Sequence, residues 1–128
     1  MNKNDLGLLL LRIGLGSVFL WFGIDKFFHP NIWVNYIPPW FPMLIPVSAF
    51  ILLLGIVETL IGALVLFGLF TRFAAGLSAL MLIPIIISLG YTEIGVRDFG
   101  LLLLALGVSA LGAGIYSLDA KVFKGKGQ

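Results

Sequence analysis

Four long apolar stretches constrain this chain more than any other feature. They lie at residues 6–28, 46–70, 73–90 and 98–115. A helix needs about 20 mostly apolar residues to cross the ~30 Å hydrocarbon layer of a bilayer, and backbone polar groups in lipid must be satisfied within the segment. The stretches use about 80 of the 128 residues, which leaves no room for a soluble domain. The sequence therefore predicts an all-α, single-domain integral membrane protein, a four-helix transmembrane bundle of antiparallel up-down topology.

The rest of the composition excludes several function classes. Only 11% of the residues are charged, less than half the share of about 25% that is usual in soluble domains. The chain has no cysteine and one histidine, so it cannot build an iron–sulfur cluster, a Cys-rich zinc site or a bis-His haem site from one copy. The net charge of +2 comes mostly from the termini and one turn, so it does not indicate a nucleic-acid partner. We therefore expect no metal site, no covalently bound cofactor and no self-sufficient redox or hydrolytic site.

The connection between the first two spans, residues 29–45, reads HPNIWVNYIPPWFPMLI. Its prolines prevent one continuous helix, while Trp33, Tyr36 and Trp40 suit the lipid headgroup layer. We interpret it as an interfacial loop, and the alternative is a lid over a lipophilic ligand. Residues 119–128 are predicted to form a basic C-terminal tail.

The distribution of basic residues predicts the orientation. Five basic residues lie on the side of the termini: Lys3, Arg72, Lys121, Lys124 and Lys126. Only Lys26 and Arg97 lie on the other side. Arg12 lies near the side of the termini and is not counted. The protein is thus expected in the cytoplasmic (cell) membrane as a multi-pass protein, with both termini in the cytoplasm and the Pro/Trp-rich loop outside.

Three of the four apolar stretches carry a stripe of small and polar residues at 4-3 spacing, which keeps the stripe on one helix face. The stripes are Arg12, Gly16, Phe19, Gly23 and Lys26 in the first; Ile51, Gly55, Glu58, Gly62, Val65, Leu69 and Arg72 in the second; and Asp98, Leu102, Ala105, Ser109, Gly112 and Tyr116 in the fourth. Small residues let membrane helices approach closely, and polar ones avoid lipid. All three stripes are therefore predicted to face one interior.

Glu58 is the strongest site candidate, because it lies in the middle of its span and intramembrane carboxylates are rare and usually functional. It is either protonated or paired, and both Arg12 and Lys26 are geometrically plausible partners. The alternative is a buried structural hydrogen bond that fixes the helix register. Arg12 has a second interpretation too, since its side chain can snorkel to the interface.

Four more charged positions lie at the outer end of the bundle. Asp25 and Lys26 end the first span, while Arg97 and Asp98 begin the fourth. We expect them to form an ion-pair cluster that closes this end, and the alternative is a ligand-binding role. Ligand-binding or proton-carrying candidates are Arg12, Glu58, Lys26 and Trp21, with Trp21 or Phe19 as a packing wall.

Three of the runs also resemble those of a known family. LRIGLGSVFLWFGIDKF at Leu11–Phe27, VETLIGALVLFGLFTR at Val57–Arg72 and RDFGLLLLALGVSALGAGIYSLD at Arg97–Asp119 are similar to the first, second and fourth helices of DoxX-family membrane proteins. Ala113 departs from that pattern, where proline is expected. The resemblance implies a four-helix membrane protein associated with oxidoreductase systems such as thiosulfate:quinone oxidoreductase complexes. The matched polar positions are Arg12, Lys26, Glu58, Arg72, Arg97 and Asp98.

These observations lead to one function hypothesis and two alternatives. The first is a small integral-membrane subunit of an oxidoreductase or respiratory-type complex that contributes to a pocket for quinone or another lipophilic ligand. The second is a structural or assembly subunit, and the third is a small-solute or proton pathway. Expected partners are membrane lipids and either other subunits of a redox complex or further copies of this chain.

Overall fold

The computed structural model describes residues 2–37 and 44–122. Within them the chain forms six helices and no strand: α1 (Lys3–Phe28), α2 (Pro30–Val34), α3 (Val47–Phe67), α4 (Thr71–Leu89), α5 (Glu93–Leu111) and α6 (Leu118–Val122). Four of these, α1, α3, α4 and α5, are long and apolar enough to cross a membrane. The predicted all-helical, four-span architecture is confirmed.

Two of the helices begin or end at residues other than the predicted ones, because local capping determines where a helix stops. The fourth span was expected at 98–115, but α5 begins five residues earlier, because the Thr92 side chain accepts a hydrogen bond from the Gly95 N–H at 3.0 Å and caps the helix. It ends at Leu111, since Gly112 has a φ of 84°. The second span, expected to reach residue 70, ends at Phe67 before Gly68, whose φ is 74°.

Glycines decide how the long helices pair. α1 packs most extensively against α3, and α4 against α5, whereas α1 and α5 contact each other sparsely. A Cβ atom on Gly62 would lie 2.5 Å from the backbone N of Leu20 and 2.8 Å from the carbonyl oxygen of Gly16. The backbones of α1 and α3 therefore approach as closely as small residues allow.

The interior between the helices is an apolar core. It is centred on fully buried side chains from all four long helices, among them Leu15, Val65, Ala75 and Ala105. Large apolar side chains such as Phe28, Phe73 and Ile87 are exposed instead on the outer surface. This arrangement suits a bundle whose outer solvent is lipid.

The Pro/Trp-rich connection begins with the short helix α2, which follows α1 directly and packs against α3. Pro30 stands at its first position, where the missing N–H costs nothing. Trp40 and the prolines at 38, 39 and 42 lie outside the described residues. At the other end of the chain, the segment predicted as a tail from residue 119 begins inside α6, and residues 123–128 lie outside the description.

Candidate functional site

An ion pair lies buried between α1 and α3. Lys26 Nζ is 2.6 Å from Glu58 Oε2, and the two side chains are only 5% and 6% exposed. Gly55, one turn before Glu58, gives Lys26 room, because a Cβ on Gly55 would lie 3.2 Å from the Cβ of Lys26. Of the two cations that the sequence offered as partners for Glu58, the structure places Lys26 there.

Trp33 of α2 covers this ion pair. Lys26 Nζ lies 3.7 Å from the centroid of the Trp33 ring, within the range of a cation–π interaction. The indole is held in place because Trp33 Nε1 donates a 2.9 Å hydrogen bond to Asp25 Oδ2. Asp25 Oδ1 lies 2.8 Å from His29 Nδ1. The junction of α1 and α2 is thus organised around the Asp25 carboxylate.

A second ion pair comes from α5. Arg97 Nε and Nη2 each lie 3.2 Å from Asp98 Oδ1. Asp98 is buried, whereas 54% of the Arg97 side chain is exposed. The Arg97 guanidinium carbon is also 5.5 Å from the centroid of the Phe22 ring. The four residues predicted as one outer cluster therefore belong to three pairs, Asp25–His29, Lys26–Glu58 and Arg97–Asp98.

All three pairs line one cavity of about 610 Å³, which we call the Trp33 cavity. All four long helices and α2 contribute to its walls, and most of the lining side chains are apolar; among them are Phe19, Phe22, Ile37, Leu54, Met81 and Ile85. Such a volume, with apolar walls and a few convergent polar groups, is typical of sites for small molecules. Within the described residues, each of Glu58 and Asp98 uses only one carboxylate oxygen for its ion pair.

Arg12, the other candidate cation of α1, lies away from this cavity. Its side chain donates to four backbone carbonyl oxygens, those of Val65 at 3.2 Å, Leu66 at 2.9 Å, Ala113 at 3.2 Å and Tyr116 at 2.7 Å. All three guanidinium nitrogens are engaged, and the residue is 1% exposed. Arg12 therefore joins the end of α3 to the segment after α5, and four of its five N–H donors are used within the protein.

Comparison with known proteins agrees with this architecture. The DoxX family model matches residues 7–91. The chain belongs to the DoxX family. It is 34% identical, over 134 aligned residues that cover 98% of the chain and 95% of the relative, to "Putative oxidoreductase CatD" of Bacillus subtilis (strain 168). No solved structure matches the chain.

The Asp119 carboxylate of this DoxX protein has a structural role that we did not predict from the sequence. Its Oδ1 accepts from the Phe70 N–H at 2.7 Å and its Oδ2 from the Thr71 N–H at 3.0 Å, so it caps the start of α4. Its own N–H donates to the Gly68 carbonyl at 2.8 Å. The signal was present, because the Ser-Leu-Asp ending and the Thr-Arg turn are both motif residues, but nothing in the sequence joins them.

Arg12 and Asp119 together form what we call the inner clamp, at the end of the bundle opposite the Trp33 cavity. Gly68 lies between them, and a Cβ there would lie 2.5 Å from Arg12 Nη2, so both its positive φ and this contact require glycine. Phe70 also has a left-handed φ of 49°. The clamp thus fixes an unusual turn between α3 and α4.

The remaining candidates lie at the rim of the Trp33 cavity. Trp21 is 60% exposed, and its ring packs edge-on against Phe22 at 5.8 Å. Phe22 in turn packs edge-on against Phe19 and Trp33. Trp21 therefore lines the outside of an aromatic wall that Phe22 forms. Within the described residues no group of three His, Asp or Glu side chains could hold a metal ion.

Proposed function

We propose that this DoxX protein is a small integral-membrane subunit of a redox complex that binds a quinone, or a comparable lipophilic ring compound with oxygen substituents, in the Trp33 cavity. The observation that carries the proposal is the buried Lys26–Glu58 pair on the wall of an otherwise apolar cavity. Charged groups within a membrane are costly and mark functional sites by default. Here they adjoin space that a ligand can fill.

The chemistry of the cavity suits such a ligand. The Lys26 ammonium has three donors, of which Glu58 takes one, so it can also donate to a ring carbonyl. The second carboxylate oxygen of Glu58 can accept from a ring hydroxyl, which makes Glu58 the proposed proton carrier. Phe19, Phe22 and Trp33 offer flat apolar walls to a ring.

The redox association and the partners are part of the same proposal. The name of the Bacillus subtilis relative supports a redox role. The chain has no cysteine and a single histidine, so we propose that the electrons reach the ligand through a partner subunit. The charge distribution supports an orientation with both termini in the cytoplasm, which places the Trp33 cavity in the outer half of the cell membrane.

The third hypothesis, a solute or proton pathway, is less well supported by the packing. Between Glu58 and Arg12 the interior is filled by Leu15, Phe19, Ile61 and Val65, which are all buried and belong to one core cluster. A pathway needs polar groups or water along its length. In the described residues, the two polar ends of the bundle are separated by this core.

Photoaffinity labelling tests the binding site. We expect an azido-benzoquinone to label the segment from Phe22 to Trp33 of the wild-type protein in nanodiscs, and excess unlabelled quinone to compete. The double variant Lys26→Met/Glu58→Leu removes both charges together and should lose the labelling. Lys121→Met, which removes an exposed cation on α6, is the matched control and should keep it. Equal labelling of wild type and double variant, or labelling without competition, would contradict the site.

Purification in mild detergent tests the proposed partner. Identification of the co-purifying subunits should show a protein with a redox centre. A homo-oligomer that carries no quinone would contradict the redox part of the proposal.

A further inference from the structure

A groove on the lipid-facing surface lies directly beside the Trp33 cavity. It encloses about 400 Å³ between α1 and α5 and is lined by Ser17, Val18, Trp21, Phe22, Arg97 and Leu101. Three of these, Trp21, Phe22 and Arg97, also line the Trp33 cavity. We call this depression the α1–α5 groove. Cavity and groove therefore share one wall.

The groove exists because α1 and α5 are the loosely packed side of the bundle. α1 is drawn to α3 by paired glycines, and α4 pairs with α5, where Ser109 Oγ donates to the Arg72 carbonyl at 3.0 Å. In the described residues no hydrogen bond or ion pair joins α1 to α5. The cation–π contact between Arg97 and Phe22 is therefore the electrostatic contact that breaks if the two helices separate here.

The shared wall consists of movable side chains. Among the described residues, the Phe22 ring lies edge-on to Phe19, Trp21 and Trp33, and Lys26 Nζ is 5.7 Å from its centroid. The Arg97 guanidinium lies over its ring at 5.5 Å, and the Arg97 side chain is more than half exposed. Rotamer changes of such side chains are fast compared with helix motions. The rings of Trp21 and Phe22 and one flexible cation, Arg97, thus separate the cavity from the lipid.

We propose that the α1–α5 groove is the subsite for the hydrocarbon tail of the ligand. We also propose that it is the lateral route by which the ligand passes from the bilayer into the Trp33 cavity. The inference rests on the proposed function, which places the ring in the Trp33 cavity. The ligand is then an amphiphile with a polar ring and a long alkyl or isoprenoid chain. The chain passes Phe22 and lies along Val18 and Leu101, where it remains in contact with lipid.

Continuity with the ring site favours this occupant over a second copy of the chain or a phospholipid. The groove meets the ring site at Arg97, the group that could donate to an oxygen substituent at the ring–tail junction, and at Phe22, the wall of the ring site, since both residues line cavity and groove. A tail there gains little from the hydrophobic effect, because lipid is equally apolar. The groove should therefore determine where the tail lies and how fast the ligand loads.

Two photoaffinity probes with the same benzoquinone ring and decyl chain test the placement in nanodiscs. One carries an azide on the ring, the other a diazirine at the chain end. We expect the ring probe to label the Phe22–Trp33 segment and the chain probe to label α1 and α5 around Val18 and Leu101. Leu101→Trp fills the groove and should reduce chain labelling there about tenfold, a difference of about 1.4 kcal/mol, while a tailless ring probe labels as before. Leu103→Trp adds the same ring on the exposed lipid face of α5 and should change neither.

The outcomes separate the two proposals. The groove proposal is overturned if the chain probe labels all lipid-facing helices alike and Leu101→Trp does not change that labelling. If the ring labelling is still saturable, the proposed ring site in the Trp33 cavity stands. Chain labelling of a second copy or competition by phospholipid alone also overturns the groove proposal. Absence of saturable ring labelling overturns both.

A reversible crosslink tests the route. The chain has no cysteine, so Val18→Cys/Leu101→Cys can be joined across the groove by a short bis-thiosulfonate reagent and released by reductant. We expect the crosslinked protein to take up the decyl quinone at least about tenfold more slowly and the reduced protein to recover. An unchanged uptake rate after complete crosslinking contradicts lateral access.

Discussion

The first helix carries two buried cations, Arg12 and Lys26, at opposite ends of the bundle, and they do different things. They lie fourteen residues apart, about 21 Å along the helix. Arg12 is enclosed by backbone carbonyls and lines neither the Trp33 cavity nor the α1–α5 groove. Lys26 pairs with one carboxylate on the wall of the Trp33 cavity. Of the two buried cations, we therefore take Lys26, which lines a cavity, as the one in a candidate binding site.

The side-chain types fit these two roles. A guanidinium presents five N–H donors in a plane, which suits several carbonyl oxygens that converge from the end of α3 and the segment after α5. An ammonium is a compact charge on a flexible stem, and here it contacts one carboxylate oxygen and one aromatic face. The first arrangement uses all the nitrogens of the side chain, whereas the second leaves donors for a ligand.

The largest effect is expected at the inner clamp. Arg12→Met should lower the free energy of unfolding by about 3–5 kcal/mol, because four carbonyl oxygens lose a charged donor, and the Val65 oxygen then keeps its bond from the Gly68 N–H. Arg12→Lys should recover only part of this, since an ammonium cannot reach the same set of acceptors. Thermal unfolding in detergent, followed by intrinsic tryptophan fluorescence, measures both. An Arg12→Met protein with wild-type stability and no quinone binding would reverse the roles that we assign to the two ends.

The next effect concerns the Lys26–Glu58 pair. Lys26→Met alone leaves Glu58 buried without its partner and should cost about 2–3 kcal/mol, less than the 3–5 kcal/mol typical of a pair with no adjacent space. Lys26→Met/Glu58→Leu should restore most of that stability, because no unpaired charge remains. Quinone binding should be lost in both variants. A double variant as unstable as the single one would show that the pair is structural in the same sense as Arg12.

Much of the fold follows from the sequence, because apolar length and backbone hydrogen bonding leave few alternatives in lipid. The 4-3 spacing predicted that Gly16, Gly23, Gly55 and Gly62 face the interior, but not that α1 pairs most closely with α3. The helix ends were less predictable. Thr92 starts α5 one turn before its apolar run, and the left-handed turn at Gly68 ends α3 early, and both depend on local capping.

The site was predictable only in part. The residues of the ion pair were on the inward stripes, but the choice of Lys26 over Arg12 depends on partners that carry no sequence signature. Arg12 binds the carbonyls of Val65 and Tyr116, which are 53 and 104 residues away. The position of Trp33 over Lys26 depends on how α2 folds back after α1, and a Pro/Trp-rich loop has no periodicity from which that path could be read.

A moderate effect is expected at Asp119. Asp119→Ala removes the acceptor for two N–H groups at the start of α4 and should cost about 1–2 kcal/mol. Asp119→Asn keeps one good acceptor and should cost less. Because the inner clamp lies far from the Trp33 cavity, folded protein of either variant should bind quinone with wild-type affinity. Unfolding and binding measured on the same preparations check both statements, and weaker binding in folded Asp119→Ala protein would show that the two ends are coupled.

The smallest effect on stability, and the sharpest contrast in binding, is expected at Trp33. Trp33→Phe keeps an aromatic face over Lys26 and loses only the indole donor to Asp25, so it should change the melting temperature little and the quinone dissociation constant less than about tenfold. Trp33→Leu fills much of the same space without a π face and should weaken binding further. Asp25→Asn is the complementary variant, because its amide oxygen still accepts from the Trp33 Nε1 while the negative charge is gone. If Trp33→Phe and Trp33→Leu bind quinone equally well, the aromatic ring over Lys26 plays no part in recognition, and the Trp33 cavity resembles the inner clamp more closely than we propose.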